Sequence, residues 1–340
     1  MLVVLALGTA LLGVILYQTD LREVWRQLQQ LGWSGCLLIF AIFLAGFIAL
    51  AGSWLVTVPS IAPNLAWLAR FWRVLMVGSA LAEVTPLAGM GGEPVKALLL
   101  KRHYGIRYRE ATASLVLARM TDLVAQVLFM ALGFALMSTT DLASSYRVGA
   151  AAGLVFFSLA ILVFFLLQRP AVFAWLRARL ERGYLARRLG ERGVAALESL
   201  RDVERHLLDF YSQERGRFAL SVLLSLGDWA SGAAATWLAV NWLGFAIGIG
   251  DAIVIEAFVV LIRSTLFFVP ADLGTQEAAL LLIGSALTGS PTLGVALAAI
   301  RRARDVLWIA WGLAIGSAYS LHGRALVQAA AEASRAEAAD

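Results

Sequence analysis

The sequence predicts an all-α polytopic membrane protein: about six full transmembrane helices plus two re-entrant, broken-helix hairpins related as an inverted repeat. Three observations predict it. The 340 residues are 60% hydrophobic and only 15% charged, where a soluble domain is nearer a quarter charged. The apolar residues fall into long runs of the kind a bilayer uses. A proline–glutamate spacing with intervening glycine occurs twice, each time followed by a charged apolar segment.

Each element has its own signal along the chain. Met1–Tyr17 is apolar, has no basic start and no small-residue cleavage site, and is expected to be a retained first span. Asp20 caps an amphipathic stretch in which Leu21, Val24, Trp25, Leu28 and Leu31 share a face, expected to lie in the headgroup layer. Trp33–Val58 is an uncharged span that Pro59 and Pro63 end. Trp67, Arg70, Trp72 and Arg73 then form an aromatic, basic interface. Val74–Thr85 is too short to cross a bilayer, which takes about 20 residues. It leads into a breaker-rich segment with Pro86, Gly89, Gly91, Gly92, Glu93 and Pro94, then a short apolar piece, Val95–Leu100. Two half-helices around such a tip predict a re-entrant hairpin, tolerated only inside protein or beside a wet cavity.

Ala111–Met137 is a full span carrying Arg119 and Asp122, and Val148–Gln168 is another without charge. Arg169–Arg217 is Arg-rich, with Val194, Leu197, Leu200, Val203, Leu207 and Phe210 at helical spacing, as surface helices would have it. Phe218–Leu243 spans again around Asp228. The last third divides into Ile253–Val269, a unit from Pro270 to Gly289, and Leu293–Tyr319. These elements make one membrane domain over 1–322, with repeat units at about 74–137 and 253–319 and a cytoplasmic insertion at about 169–217. A short polar tail, 323–340, is expected to fray. Basic loops at Lys101 to Arg109 and Arg169 to Arg217 place those segments in the cytoplasm.

The repeat is the most informative feature. Pro86 precedes Glu93 by seven residues, and Pro270 precedes Glu277 by seven. Glu93 to Arg119 is 26 residues and Glu277 to Arg304 is 27. With the first hairpin's ends inside and the second's outside, the units are related by an axis in the membrane plane. Such inverted repeats with broken helices mark transporter-like proteins whose site lies near the midplane.

The candidate site comes from charge. Glu93, Lys96, Arg119, Asp122, Glu277, Arg301, Arg304 and Asp305 lie in or beside apolar segments, with Glu83, Asp228, Glu256 and Arg263 as secondary candidates. Each charge at the bilayer centre costs about 2.5–3.5 kcal/mol, so these residues must pair or face water. Arg119 and Asp122 are i, i+3 and Arg301 and Asp305 are i, i+4, which puts each pair on one helix face. Glu93 and Glu277 at the hairpin tips are expected to meet the opposite unit's arginines. Two readings stand: ion pairs that pin broken helices, or a polar site in which Arg119, Arg301 and Arg304 hold a phosphate-bearing headgroup while the glutamates gate or carry protons.

Other classes are excluded or weakened. The net charge of +5 and pI of about 9.7 belong to the cytoplasmic loops, so no nucleic-acid partner is expected. A single cysteine, Cys36, allows no internal disulfide, and His103, His206 and His322 are too far apart for a metal motif; no metal and no cofactor is expected. The tryptophans fit interfacial belts, and Gly227 and Gly232 fit close helix packing.

The segment Pro86 to Pro94 with Lys96, the Ala118-Arg119-Met120-Thr121-Asp122-Leu123 segment, and the run from Val269 and Pro270 through Gly274 to Glu277 resemble the lysylphosphatidylglycerol synthase transmembrane, or flippase-like, family of bacteria and archaea. The resemblance covers nearly the whole chain. The family commonly has arginine at Lys96, and its second motif opens Pro-Gly-Gly, where this chain has Ala271-Asp272-Leu273. The resemblance implies a flippase-like fold that moves lipid between leaflets around a central cavity. It implies a member without the soluble synthase domain that aminoacylating relatives carry, with the hopanoid-associated subgroup as one placement. Implied partners are membrane lipids with anionic or phosphate-bearing headgroups, a lipid-biosynthesis enzyme, and further copies of the chain. The expected location is the bacterial inner membrane. An enzyme is disfavoured, since no soluble catalytic domain is expected and no Asp-x-Asp motif is present, and without a Walker motif any driving force is a gradient or mass action. A non-catalytic subunit of a lipid-synthesis complex and a membrane-embedded transferase remain the alternatives.

Overall fold

A computed structural model describes residues 21–84, 92–137, 148–149, 151–155, 158–159, 214–265, 275–289 and 291–337. Among these residues eight helices carry the architecture: α1 Leu21–Val56, α2 Leu65–Val84, α3 Glu93–Tyr104, α4 Tyr108–Met137, α5 Arg215–Trp242, α6 Ile249–Thr265, α7 Thr275–Thr288 and α8 Pro291–Glu337. The expected spans Met1–Tyr17 and Val148–Gln168, nearly all of the 169–217 insertion, and the two tips with Pro86 and Pro270 lie largely or wholly outside the described residues.

Among the described residues, four helices are long and apolar enough to cross a membrane: Leu31–Val56, Leu65–Glu83, Tyr108–Met137 and Arg215–Trp242. The chain is thus a multi-pass membrane protein. Within α1 the backbone leaves helical geometry at Gly32, with φ 67° and ψ 173°, a conformation essentially confined to glycine. The break separates the expected amphipathic helix from the span. Leu31 is buried while Trp25 is exposed.

The second of the four spans corrects an expectation. The arm before the first tip is not a short piece starting at Val74 but a helix of 20 residues starting at Leu65. Asn64 accepts a hydrogen bond from the Trp67 backbone N–H at 2.9 Å, as an N-cap does. The Arg70 guanidinium lies 4.4 Å from the Trp67 ring and 5.6 Å from Tyr104. The basic, aromatic residues that read as a boundary are therefore the first turns of the helix itself. Only the arm after the tip is short: α3 has 12 residues, about 18 Å. Helix α8 runs on to Glu337; the many alanines at its end are the best helix formers.

The two segments that the sequence pairs, α2 to α4 and α6 to α8, share one element order. A longer helix (α2 or α6) is followed by a shorter one (α3 or α7), and two or three residues after that a long charged helix begins (α4 or α8). Each short helix packs on both long helices of its own unit. The first long helix of each unit also packs on the last of the other: α2 on α8, and α6 on α4. Glycine makes both crossings close. A Cβ on Gly133 of α4 would overlap Ala257 of α6, and one on Gly312 of α8 would overlap Ala80 and the Met76 carbonyl of α2. Small residues let helix backbones approach in this way where lipid provides no hydrophobic drive.

The outer helices complete the bundle. Helix α5 lies along α1 and touches α4 and α6. Their seam is polar: Ser53 Oγ lies 2.9 Å from Ser221 Oγ and 2.8 Å from Ser225 Oγ, and Ser221 donates to Thr121 Oγ1 at 2.8 Å. Arg217 at the start of α5 donates to the Val58 carbonyl at 3.1 Å, serving the end of α1. Two apolar clusters form the core. One gathers Trp54, Phe71, Leu75 and Leu100 with Ile309 and Leu313 of α8. The other gathers Phe43, Ile255, Leu280, Ile283 and Leu297 with Met137 of α4. Each cluster is built on one unit and closed by the last helix of the other.

Candidate functional site

The charges expected inside the membrane are held by α2 to α8, and the structure partners several of them differently from what spacing alone implies. In the first unit, Lys96 Nζ donates to Glu93 Oε1 at 2.7 Å, one helical turn away. The Lys96 stem lies across Gly78 of α2, in space that a Cβ there would fill. Lys96 is buried, while the Glu93 side chain is 48% exposed. Arg119 donates to Asp122 Oδ2 at 2.9 Å, as the i, i+3 spacing predicts. The Arg119 side chain is 65% exposed and that of Asp122 is 15% exposed.

In the second unit, the expected Arg301–Asp305 pair does not form. Arg301 turns instead to Glu256 of α6, with side chains 5% and 7% exposed. Thr236 of α5 closes the triad: its Oγ1 donates to Glu256 at 3.0 Å and accepts from Arg301 Nη2 at 3.0 Å. Asp305 accepts from its neighbour Arg304, at 2.7 Å from Nη2 and 3.1 Å from Nε, and from Gln276 of α7 at 3.4 Å. Arg304 also lies over the Phe43 ring, 4.6 Å from its centre. A tertiary partner won over the helical neighbour because α6 places a carboxylate where the buried Arg301 has nothing else to meet.

A second expectation also fails. Glu93 and Glu277 do not meet the opposite unit's arginines. Glu93 pairs with Lys96 and Glu277 with Arg302, both within their own unit. Glu93 is satisfied one turn on within its own short helix, and Glu277 by the long helix that follows its short one. Arg302 and Thr236 join the site without having been expected in it. Arg302 was legible as a fourth charge in its apolar run, whereas nothing in the sequence distinguishes Thr236 from other threonines of a span.

Asp228 lies among the separate pairs. Its carboxylate is within electrostatic range of Asp122 on the first unit and of Glu256 and Arg304 on the second. Lys96 acts on Asp122, and Arg263 acts on Arg301 and Asp305. Charged side chains of α3, α4, α5, α6 and α8 thus lie within electrostatic range of one another. Asp228 sits on α5 against α1, where Gly46 leaves room for its carboxylate. No ion-pair partner lies beside it among the described residues, which makes this secondary candidate the centre of the arrangement. Glu83 is half-buried near the end of α2.

These charged pairs lie among apolar helices, with Arg119 exposed at one end and the Arg301–Glu256 pair buried at the other, as charges inside a membrane protein must pair or face water. A family profile described as Lysylphosphatidylglycerol synthase TM region matches residues 1–312. The chain belongs to this family. The lysylphosphatidylglycerol synthase transmembrane match includes every helix carrying the network, α1 and α3 to α8 as far as Gly312, and so all the candidate residues. No curated protein and no solved structure gives a significant match to this family member. Among the described residues no cluster of three His, Cys, Asp or Glu side chains is arranged to hold a metal ion.

Proposed function

We propose that this chain is a lipid translocator of the bacterial inner membrane, moving a lipid with an anionic or phosphate-bearing headgroup between leaflets along the charged network. The observation that carries the reading is Asp228, a carboxylate on α5 within electrostatic range of Asp122 on one side and of Glu256 and Arg304 on the other. A scaffold needs local pairs; it does not need an acidic group set between two of them without an ion-pair partner. The reciprocal packing of α2 on α8 and α6 on α4 supports an inverted relation of the two units around a re-entrant pair of tips. Alternating access by one repeat moving against the other fits that relation.

In this reading the open Arg119 receives the headgroup phosphate, with Lys96 behind it and Arg304 beyond Asp228. A gradient or mass action drives movement.

The test is leaflet exchange of labelled phosphatidylglycerol in proteoliposomes, wild type beside Asp228→Asn and Arg119→Ala. Faster exchange in the wild type, lost in both folded variants, is the expected result. No exchange by a well-folded wild type, with any phospholipid, would sink the proposal and return the charges to a purely structural role.

A further inference from the structure

Away from the charged network, a cavity of about 390 Å³ opens between α1 and α8, within the roughly 300–1,000 Å³ range of small-molecule sites. Its walls are almost wholly apolar: Trp33, Ile39, Phe40 and Phe43 from α1 face Ile300 and Leu307 from α8. From Trp33 to Phe43 is ten residues, about 15 Å along the helix, or half of a hydrocarbon core about 30 Å thick. The groove is one leaflet deep. Trp33 is 82% exposed at its mouth, while Arg304, stacked on Phe43, stands at the inner end.

The mouth is not apolar. Trp25 and Gln29 overhang it from the helix before Gly32. They belong to a stripe at i, i+3, i+4 and i+7 that also carries Arg22 and Arg26, and all four residues are exposed. Interfacial helices that bear arginine and tryptophan in this way sit at headgroup depth and attract anionic lipid.

The geometry points to a lateral lipid site: one acyl chain of an anionic phospholipid lies in the α1–α8 groove, its headgroup held by the Arg22–Arg26 stripe and its chain end against Arg304. Arg304 then separates a seated lipid from the charged network, so the groove is a port to that network from one leaflet. Seating of the lipid stands independently of translocation; only its onward passage into the network rests on that reading. An acyl chain explains the depth, the lining and the aromatic mouth together, and the two arginines specify the headgroup's charge.

Cys36 lines the groove and is the only cysteine in the chain, so the native protein carries its own reporter. Full-length protein in detergent, stripped of lipid, is alkylated with a maleimide while phosphatidylglycerol or phosphatidylcholine of matched chains is added. Phosphatidylglycerol is expected to slow the reaction several-fold and phosphatidylcholine much less. R22Q/R26Q should erase the difference, and Leu307→Trp, which fills the groove from its lipid side, should abolish protection by either lipid. Equal protection by both lipids in the wild type would remove the headgroup part of the proposal. No protection, or a thiol that reacts only after unfolding because the chain covers its own groove, would overturn it. Protection in a wild type that exchanges no lipid between leaflets would keep the groove and refute translocation instead.

Discussion

The two repeat units share an order of helices but treat their charges in opposite ways. In the first unit, Arg119 is 65% and Glu93 48% exposed. In the second, the Arg301–Glu256 pair is 5% and 7% exposed, and Arg302 is 8% exposed. Both units place a glutamate in the first turn of a short helix and a cluster of charge on the next one. The difference lies in the partner. The first unit satisfies its arginine one turn away on the same helix, which leaves the guanidinium free to reach outward. The second satisfies Arg301 across helices, with Thr236 of a third helix, and so fixes α5, α6 and α8 to each other. The arginine of one unit is exposed and paired locally, and that of the other is buried and paired across helices.

The strongest way to break this comparison is to open the closed half. Glu256→Gln leaves Arg301 buried with a neutral partner, and Arg301 already has a buried Nε without a hydrogen bond. Removing one member of such a pair costs about 3–5 kcal/mol, so thermal unfolding in detergent, followed by size-exclusion, should shift down markedly. Replacing both residues, Glu256→Leu with Arg301→Met, should recover most of the loss, because no uncompensated charge remains. Equal damage from the single and double changes would show that the triad does more than neutralise itself.

Next in size are the two crossings that bind the units together. Gly133→Leu and Gly312→Leu each force a side chain into a close helix contact, at about 1–3 kcal/mol for overpacking. The reciprocal packing predicts losses of similar size in both. If Gly133→Leu were silent while Gly312→Leu unfolded the chain, the α6–α4 contact would not match its counterpart, and the repeat would be one of order rather than of packing.

How much of this was legible in the sequence depends on the range of the interaction concerned. Apolar runs located α4 and α5 to within a few residues, because hydropathy is a local property. The Arg119–Asp122 pair was also legible, since i, i+3 spacing fixes the geometry by itself. The Arg301 partner was not, because the i, i+4 neighbour Asp305 was an equally good local choice and the decision was made by α6. The start of α2 was misplaced for a related reason: Trp67, Arg70, Trp72 and Arg73 have the composition of a membrane boundary, and only the Asn64 cap and the Arg70–Trp67 stacking show them to be helix. Asp228 was visible as a charge in a span, but its position between two distant pairs is a property of three helices at once.

The Asn64 cap offers a smaller test of that corrected boundary. Asn64→Ala removes the bond to the Trp67 N–H and should cost about 1 kcal/mol, seen as a modest fall in the unfolding temperature. An unchanged temperature would mean that α2 does not depend on its first turn, and the arm would behave as the shorter piece that the composition implies.

Smallest in stability, and sharpest for the comparison, is Arg119→Ala. An exposed ion pair contributes about 0.2–1 kcal/mol, so the variant should unfold close to the wild-type temperature and elute identically. Its leaflet exchange should nonetheless fall to the protein-free rate, because the outward-facing guanidinium is the group the proposal assigns to the headgroup phosphate. Arg119→Lys retains charge without the planar fork that grips two phosphate oxygens, and should retain only part of the exchange. A large loss of stability in Arg119→Ala would place this residue with Arg301 among the pinning charges and erase the contrast between the halves. Full exchange with normal stability would leave the contrast standing but move the headgroup site elsewhere along the network, toward Lys96 or Arg304.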